Sequence, residues 1–319
     1  MKIISQLGAL AALSLIAGLA QAQGYPVKPV RVVVTTVPGP LDSFARAVLE
    51  RLQQRLKQPF VVDNKAGAGG NLGAEVVAKS PADGYTLLFA LDTTFTVNPS
   101  LYKKLSFDPV KDFVAISVPV TYSQTLAVNP NVKAATVAEL VKLAKTRHMT
   151  YASGGNGSPS HLTMASFLST AGIEMTHIPY KGTGASVIDV MGGQVDSVFA
   201  VGSGIFPHAK AGKLRALAVS GGQRSTSAAD VPTVAESGYP GFDASFAYVF
   251  MAPAGTPDEV VQLLAREVNL AMASPELREL NRQADYAATN LSQQQSAAWL
   301  AETRKHWAEV IGKAKITLD

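Results

Sequence analysis

The residues best suited to chemistry lie in two loops almost stripped of side chains. The first runs Ala66-Gly67-Ala68-Gly69-Gly70 and is followed by an apolar-periodic helix with Leu72, Val76 and Val77. Its glycines permit positive φ and close approach, and the free N–H groups and dipole at a helix start favour an anion. A merely glycine-rich helix entry explains that loop equally well. The second runs Ser153-Gly154-Gly155-Asn156-Gly157 and leads into Ser158-Pro159-Ser160-His161, with Ser158 as N-cap and Pro159 at the first helical position.

Reaction chemistry finds little support in these residues. Ser158 or Ser160 beside His161 has the types of a nucleophile and base, but no Gly-x-Ser-x-Gly elbow follows a strand, and an N-cap serine is committed to its helix. His148, His161, His177, His208 and His306 have no metal-binding spacing, and the first glycine loop lacks the Gly-Lys-Ser/Thr ending of a phosphate loop. The chain has no cysteine, which excludes disulfides and thiol catalysis. No cofactor is expected.

The elements that must position these loops alternate. Val30-Arg31-Val32-Val33-Val34 is a β-branched run of the kind buried on both faces, and Leu41, Phe44, Val48, Leu52 and Leu56 then recur at helical spacing, with Asp42 or the residues just before it as cap. A strand at 59–63, the glycine loop, a helix and a strand at 85–91 repeat the order. Strands are expected at 113–120 and 125–128, then at 149–152, 176–180, 195–200, 214–219 and 241–252. Helices are expected at 136–146, from Pro159, up to Met191, at 206–210, 257–273, from Pro275 and at 292–314. Leu300, Trp307 and Ile311 form a stripe that belongs to the core. Strands alternating with helices imply parallel sheets whose ligands sit beyond the strands' carboxyl ends.

Composition narrows the class. Met1-Lys2, the apolar run Leu7 to Ala20 and the small residues Ala20 and Ala22 read as a secretory signal peptide over residues 1–22, cleaved after Ala22, and too short for a permanent anchor. Cleavage removes one lysine and no acid, lowering the net charge from +4 to +3. Lys and Arg are scattered rather than striped, so nucleic acid is not an expected partner. With 47% apolar residues an exported chain of 319 residues can stand on its core without disulfides.

Several separate motifs agree in order with one family. Tyr25-Pro-x-Lys-Pro-Val-Arg, Asn64-Lys-Ala-Gly-Ala-Gly-Gly-Asn-Leu-Gly, Ala82-Asp-Gly-Tyr-Thr-Leu-Leu, Ser153 to His161, His177-Ile-Pro-Tyr-Lys-Gly, Gly193-Gln-Val-Asp and Val231-Pro-Thr-Val-Ala-Glu-Ser-Gly-Tyr-Pro-Gly resemble the Bug-type extracytoplasmic solute receptors, the TctC family. The resemblance runs over essentially the whole mature chain. It implies an α/β, two-lobed, type II periplasmic binding-protein fold, each lobe a mainly parallel sheet flanked by helices. A cleft between the lobes would close on a small carboxylate, which is delivered to the membrane subunits of a tripartite tricarboxylate transporter. Lobe 1 is then 23–124 with 247–319, lobe 2 is 125–246, and the hinges lie near 120–126 and 240–248; a periplasmic monomer that is not an enzyme is expected.

Carried over by motif, Thr36, Gly39 and Leu41 with Ala66, Gly67, Ala68, Gly69 and Gly70 come from lobe 1, and Ser153, Gly154 and Ser158 from lobe 2, with His161 and Tyr180 nearby. His161 serves equally well as a structural residue at its helix start, and Tyr180 as packing. The chain departs from the family in three places. Pro38-Gly39-Pro40-Leu41-Asp42 is one residue shorter than the usual Pro-Gly-Gly-x-x-Asp loop, and Pro40 removes a donor. Asp92, with Thr93 beside it, stands where a neutral small residue is expected, and Ala200 where relatives often carry an acid. An acid near the pocket would repel a carboxylate by about 1 kcal/mol or more, so the expected ligand widens to an amide, zwitterion or monocarboxylate. Two other readings share these residues: a periplasmic sensor that presents its closed state to a signalling partner, and an exported α/β hydrolase using Asp92 or His161.

Overall fold

The computed structural model describes residues 24–314, 316 and 317. The expected signal peptide lies outside the described residues. The first strand, β1 (Val30–Val34), pairs in parallel with β2 (Phe60–Asn64) and β3 (Thr86–Leu91). Burial of Val30, Val32, Val33 and Val34 on both faces explains the unbroken β-branched run. Between β1 and β2 lies α1 (Pro40–Leu56), which buries Leu41, Phe44, Val48, Leu49 and Leu52; α2 (Asn71–Ala78) links β2 to β3. Short helices α3 (Thr93–Thr96) and α4 (Asn98–Leu101) follow, which the sequence pattern did not announce.

The centre of the molecule is β4, a strand running from Phe113 to Val128. Two strands were expected here, because Pro119 reads as punctuation. Pro119 instead sits where the pairing register shifts between Ser117 and Val120, a position that needs no N–H, and its carbonyl accepts from the Thr289 N–H at 3.2 Å. Along its first part β4 pairs antiparallel with β9 (Ser245–Pro253), as far as Ser123 opposite Ser245. From Gln124 onward it pairs with β7 (Ser197–Val201), and from Thr125 with β8 (Arg215–Val219). One strand thus serves both lobes.

The second lobe completes its sheet with β5 (Thr150–Ser153), parallel to β6 (Thr176–Pro179) and β7. Its helices are α5 (Val137–Ala144), α6 (Pro159–Ala171), α7 (Thr183–Met191) and α8 (Gly202–Lys210). The strand order is β2-β1-β3-β9-β4-β7-β5-β6, with β8 and the two-residue β10 (Ala287–Ala288) also on β4. The chain ends in α9 (Asp258–Met272), α10 (Pro275–Ala284) and α11 (Gln293–Ala314). On α11 the expected stripe is core: Trp307 is fully buried and stacks on Phe246 with centroids 5.1 Å apart, Ile311 is buried in the same cluster, and Leu300 is buried in a second one. No described helix is long and apolar enough to cross a membrane.

Candidate functional site

A cleft of about 280 Å³ opens between the lobes. Lobe 1 borders it with the loop from Thr36 to Leu41, Leu91 at the end of β3 and Tyr248 on β9, while Tyr122 comes from β4. Lobe 2 contributes Pro159, Ser160, Thr183 and Val201, and Gln124 lies on β4 at the crossing between the lobes. Register explains the floor. Leu91 lies opposite Tyr248, the Tyr122 and Tyr248 rings are 5.3 Å apart, and Gln124 pairs with Val201 as β4 changes sheets.

The walls are helix starts. Helix α1 begins at Pro40 after Gly39, with no side chain capping its N–H groups, and α7 begins at Thr183 after Gly182, again uncapped. Pro40 at the first helical position removes a donor that an α-helix would leave unpaired there in any case, so the shortened loop costs little. Asp42 is not the cap: its carboxylate accepts from Arg46 Nε and Asn64 Nδ2, both at 2.8 Å, and the bond from Arg46 lowers its pKa. The third start, α6, is capped by the Ser158 hydroxyl, which accepts from the His161 N–H at 3.3 Å. Each start carries about half a positive unit charge. Among the described residues, no Lys, Arg, Asp or Glu borders the cleft.

Two polar groups at the cleft have no protein partner among the described hydrogen bonds. Thr36 Oγ1 is buried without a hydrogen bond. Gln124 is 2% exposed; its backbone bonds to Ser220, while none of the described hydrogen bonds reaches its side-chain amide. Buried polar groups are ordinarily satisfied, so both are available to a bound molecule.

Ser153, Gly154, Ser158 and His161 support the cleft rather than line it. The Gly154 N–H donates to Ser160 Oγ at 2.9 Å, and Ser160 Oγ lies 3.0 Å from Ser158 Oγ, so this network fixes Ser160, which does border the cleft. His161 Nδ1 accepts from the Gly157 N–H at 3.1 Å, and its ring stacks on His177 at 4.3 Å, which stacks on Tyr151 at 4.8 Å. Burial, and secondarily His177, pushes His161 down to about 4, and burial lowers His177 as well. Because the folded value lies below the unfolded one, the unfolded chain takes up protons first as pH falls. Stability is therefore lost from pH 6.5 down to about 4, by up to about 3 kcal/mol for His161. A calorimetric pH series should show that loss, and His161→Gln should reduce it.

Other expected site residues lie elsewhere. Asp92 is fully buried at the start of α3, where Oδ1 accepts from the Ala247 N–H at 3.0 Å and Oδ2 from Thr96 Oγ1 at 3.2 Å. It and the buried Thr93 do not border the cleft, so the repulsion argued for Asp92 does not act there. Ala200 packs into the core of lobe 2, because strand alternation turns its neighbour Val201 to the cleft instead. Tyr180 donates to Asp189 Oδ2 at 2.6 Å, away from the cleft, and that bond raises its hydroxyl to about 12.

Ala66, Gly67, Ala68 and Gly69 are exposed and Gly70 is buried, and none of the five borders the cleft. Asn98 Nδ2 and Thr94 Oγ1 both donate to the Gly69 carbonyl, at 3.0 and 3.2 Å, so this loop is braced against α3 and α4. Ser153 Oγ lies 2.6 Å from His177 Nε2, but Ser153 is fully buried and none of the described hydrogen bonds joins an acid to His177. That pair is a structural bond within the stack. Sequence reasoning missed Leu91, Tyr122, Gln124, Pro159, Ser160, Thr183, Val201 and Tyr248. Helix-start chemistry could have found Ser160 and Thr183; no local signal marks the strand residues.

Known proteins share this architecture. Protein BugT of Bordetella pertussis is 34% identical over 314 residues, covering 97% of this chain and 96% of its own. An R. palustris protein solved with adipate superposes with a TM-score of 0.83 at 30% identity, covering 92% of this chain and 99% of that one. The periplasmic binding protein BugD superposes with a TM-score of 0.79 at 31% identity over 92% and 99%. Residues 44–316 match the model of the tripartite tricarboxylate transporter family receptor, TctC. With the two sheets joined through β4 and a cleft walled by helix starts, the chain belongs to this family of solute receptors.

Proposed function

We propose that the chain is a periplasmic receptor that captures a small carboxylate between its lobes and hands it to the membrane subunits of a tripartite transporter, without chemical turnover. The observation that carries this reading is the convergence of three helix starts, two of them uncapped, on a cleft that no charged side chain borders among the described residues. A carboxylate is held there by N–H groups of α1 and α7, by the Ser160 and Thr183 hydroxyls, and by Thr36 Oγ1 and the Gln124 side-chain amide, which have no partner among the described hydrogen bonds. Family membership and the adipate-bound relative support the same ligand chemistry.

The lobes in this reading are 23–124 with 247–319, and 125–246. The change of partner between Ser123 and Gln124 on β4, and the entry into β9 at Ser245, support rotation about these two crossings. Residues 1–22 direct export and are removed, and the mature receptor works as a monomer.

A thermal-shift series on residues 23–319 against carboxylates tests the proposal. A ligand bound only to the folded state at 100 times its Kd adds about 2.7 kcal/mol and raises the midpoint by several degrees. The ligand is expected back unchanged after incubation; a converted product would instead establish an enzyme.

A further inference from the structure

Building on the receptor reading, we infer that the ligand is a small monocarboxylate with an apolar body, and that dicarboxylates, amino acids and neutral amides are discriminated against. The cleft is two-sided in chemistry. Its walls present the starts of α1 and α7, and the 2%-exposed Gln124 adds a side-chain amide with no partner among the described hydrogen bonds. These groups together suit one carboxylate. Its floor presents Leu91, Tyr122, Tyr248 and Val201, and the Tyr248 hydroxyl is already engaged with that of Tyr286 at 2.7 Å.

A second carboxylate on the same ligand would have to settle over that floor. Among the described residues no Lys or Arg borders the cleft to meet it, and a charge placed against apolar groups without a partner loses its hydration uncompensated. A zwitterion fails for the opposite reason. Its ammonium needs an acid, yet Asp92 is buried away from the cleft and Asp42 is held by Arg46 and Asn64. An amide keeps the shape but not the charge that the helix starts favour. Size sets the scale: 280 Å³ is about nine water volumes, so the ligand has on the order of ten non-hydrogen atoms. A flat ring or a branched chain of that size covers the tyrosine floor, where offset or edge contacts with aromatic faces are favourable.

The test is isothermal titration of the mature receptor with benzoate and 3-methylbutanoate against adipate, succinate, phenylalanine and benzamide. At least one of the two monocarboxylates is expected to bind about ten-fold or more tighter than every comparator. Its heat-capacity change should be negative, the mark of apolar burial. Val201→Lys, which puts a cation beside the floor, is expected to tighten adipate and weaken benzoate. Adipate or succinate matching the monocarboxylates in the parent protein would overturn the inference while leaving a carboxylate receptor in place. Phenylalanine or benzamide in the lead would overturn it as well, by showing that an ammonium is met or that the charge is not read. Silence from all four acids would overturn both the inference and the carboxylate-receptor reading.

Discussion

Gly70→Ala should lower the unfolding free energy by about 2–5 kcal/mol, seen as a drop in the urea midpoint with the slope unchanged. Gly70 is buried at φ +93°, and a methyl group there would lie 2.4 Å from Thr94 Oγ1 and 3.3 Å from Thr35 Cβ. Left-handed backbone and overpacking each cost about 1–3 kcal/mol, and neither can relax easily, because Thr94 is fully buried and holds the Gly69 carbonyl. Gly39→Ala is the control. Its φ of 172° is extended backbone open to any residue, and its nearest neighbour would be the Val37 carbonyl oxygen at 3.7 Å. That variant should stay within about 1 kcal/mol of the parent. A Gly70→Ala protein as stable as the Gly39→Ala one would show that the glycine loop is not a structural brace, and would return it to the ligand.

The contrast between these glycines marks how far the sequence is readable. The Gly-Ala-Gly-Gly stretch announces positive φ, and Gly67, Gly69 and Gly70 do adopt it. What it cannot announce is that Thr94 and Asn98, on two four-residue helices invisible to periodicity, fold over the loop. Helix starts were legible for the same local reason: Ser158 before Pro159 specifies a cap, and the cap forms. The cleft floor was not. Tyr122, Gln124 and Tyr248 lie on strands buried on both faces, where no polar alternation reveals which side chain points to which space. Asp92 shows the same gap in a charged residue. An acid just past a strand reads as a group near the ligand, and only the tertiary pairing of β3 with β9 shows that the Ala247 N–H takes it instead.

That burial makes Asp92→Asn a stabilising change, with a pH signature that separates it from a ligand-binding role. Desolvation raises Asp92 from 3.8 to about 7, against the hydrogen bonds from Ala247 and Thr96 that pull it down. With the folded value above the unfolded one, the contribution is fully present below about pH 4 and is lost as pH rises to 7. The total is about 4 kcal/mol at 1.36 kcal/mol per unit. Asparagine keeps the Ala247 bond through Oδ1, and its Nδ2 can donate to Thr96 Oγ1, whose own proton goes to the Asp92 carbonyl at 3.0 Å. Calorimetry at pH 8 should therefore find the Asn variant's midpoint several degrees higher, with carboxylate affinity unchanged. Between pH 4.5 and 6.5 the slopes from Asp92 and from His161 oppose each other, so these two groups together should leave the parent protein nearly flat there. Asp92→Asn should uncover a midpoint that rises with pH, and His161→Gln one that falls. A lower midpoint for Asp92→Asn at pH 8 would mean that the ionised carboxylate, with its accepted N–H and O–H bonds, holds β9 against α3 better than a neutral amide does.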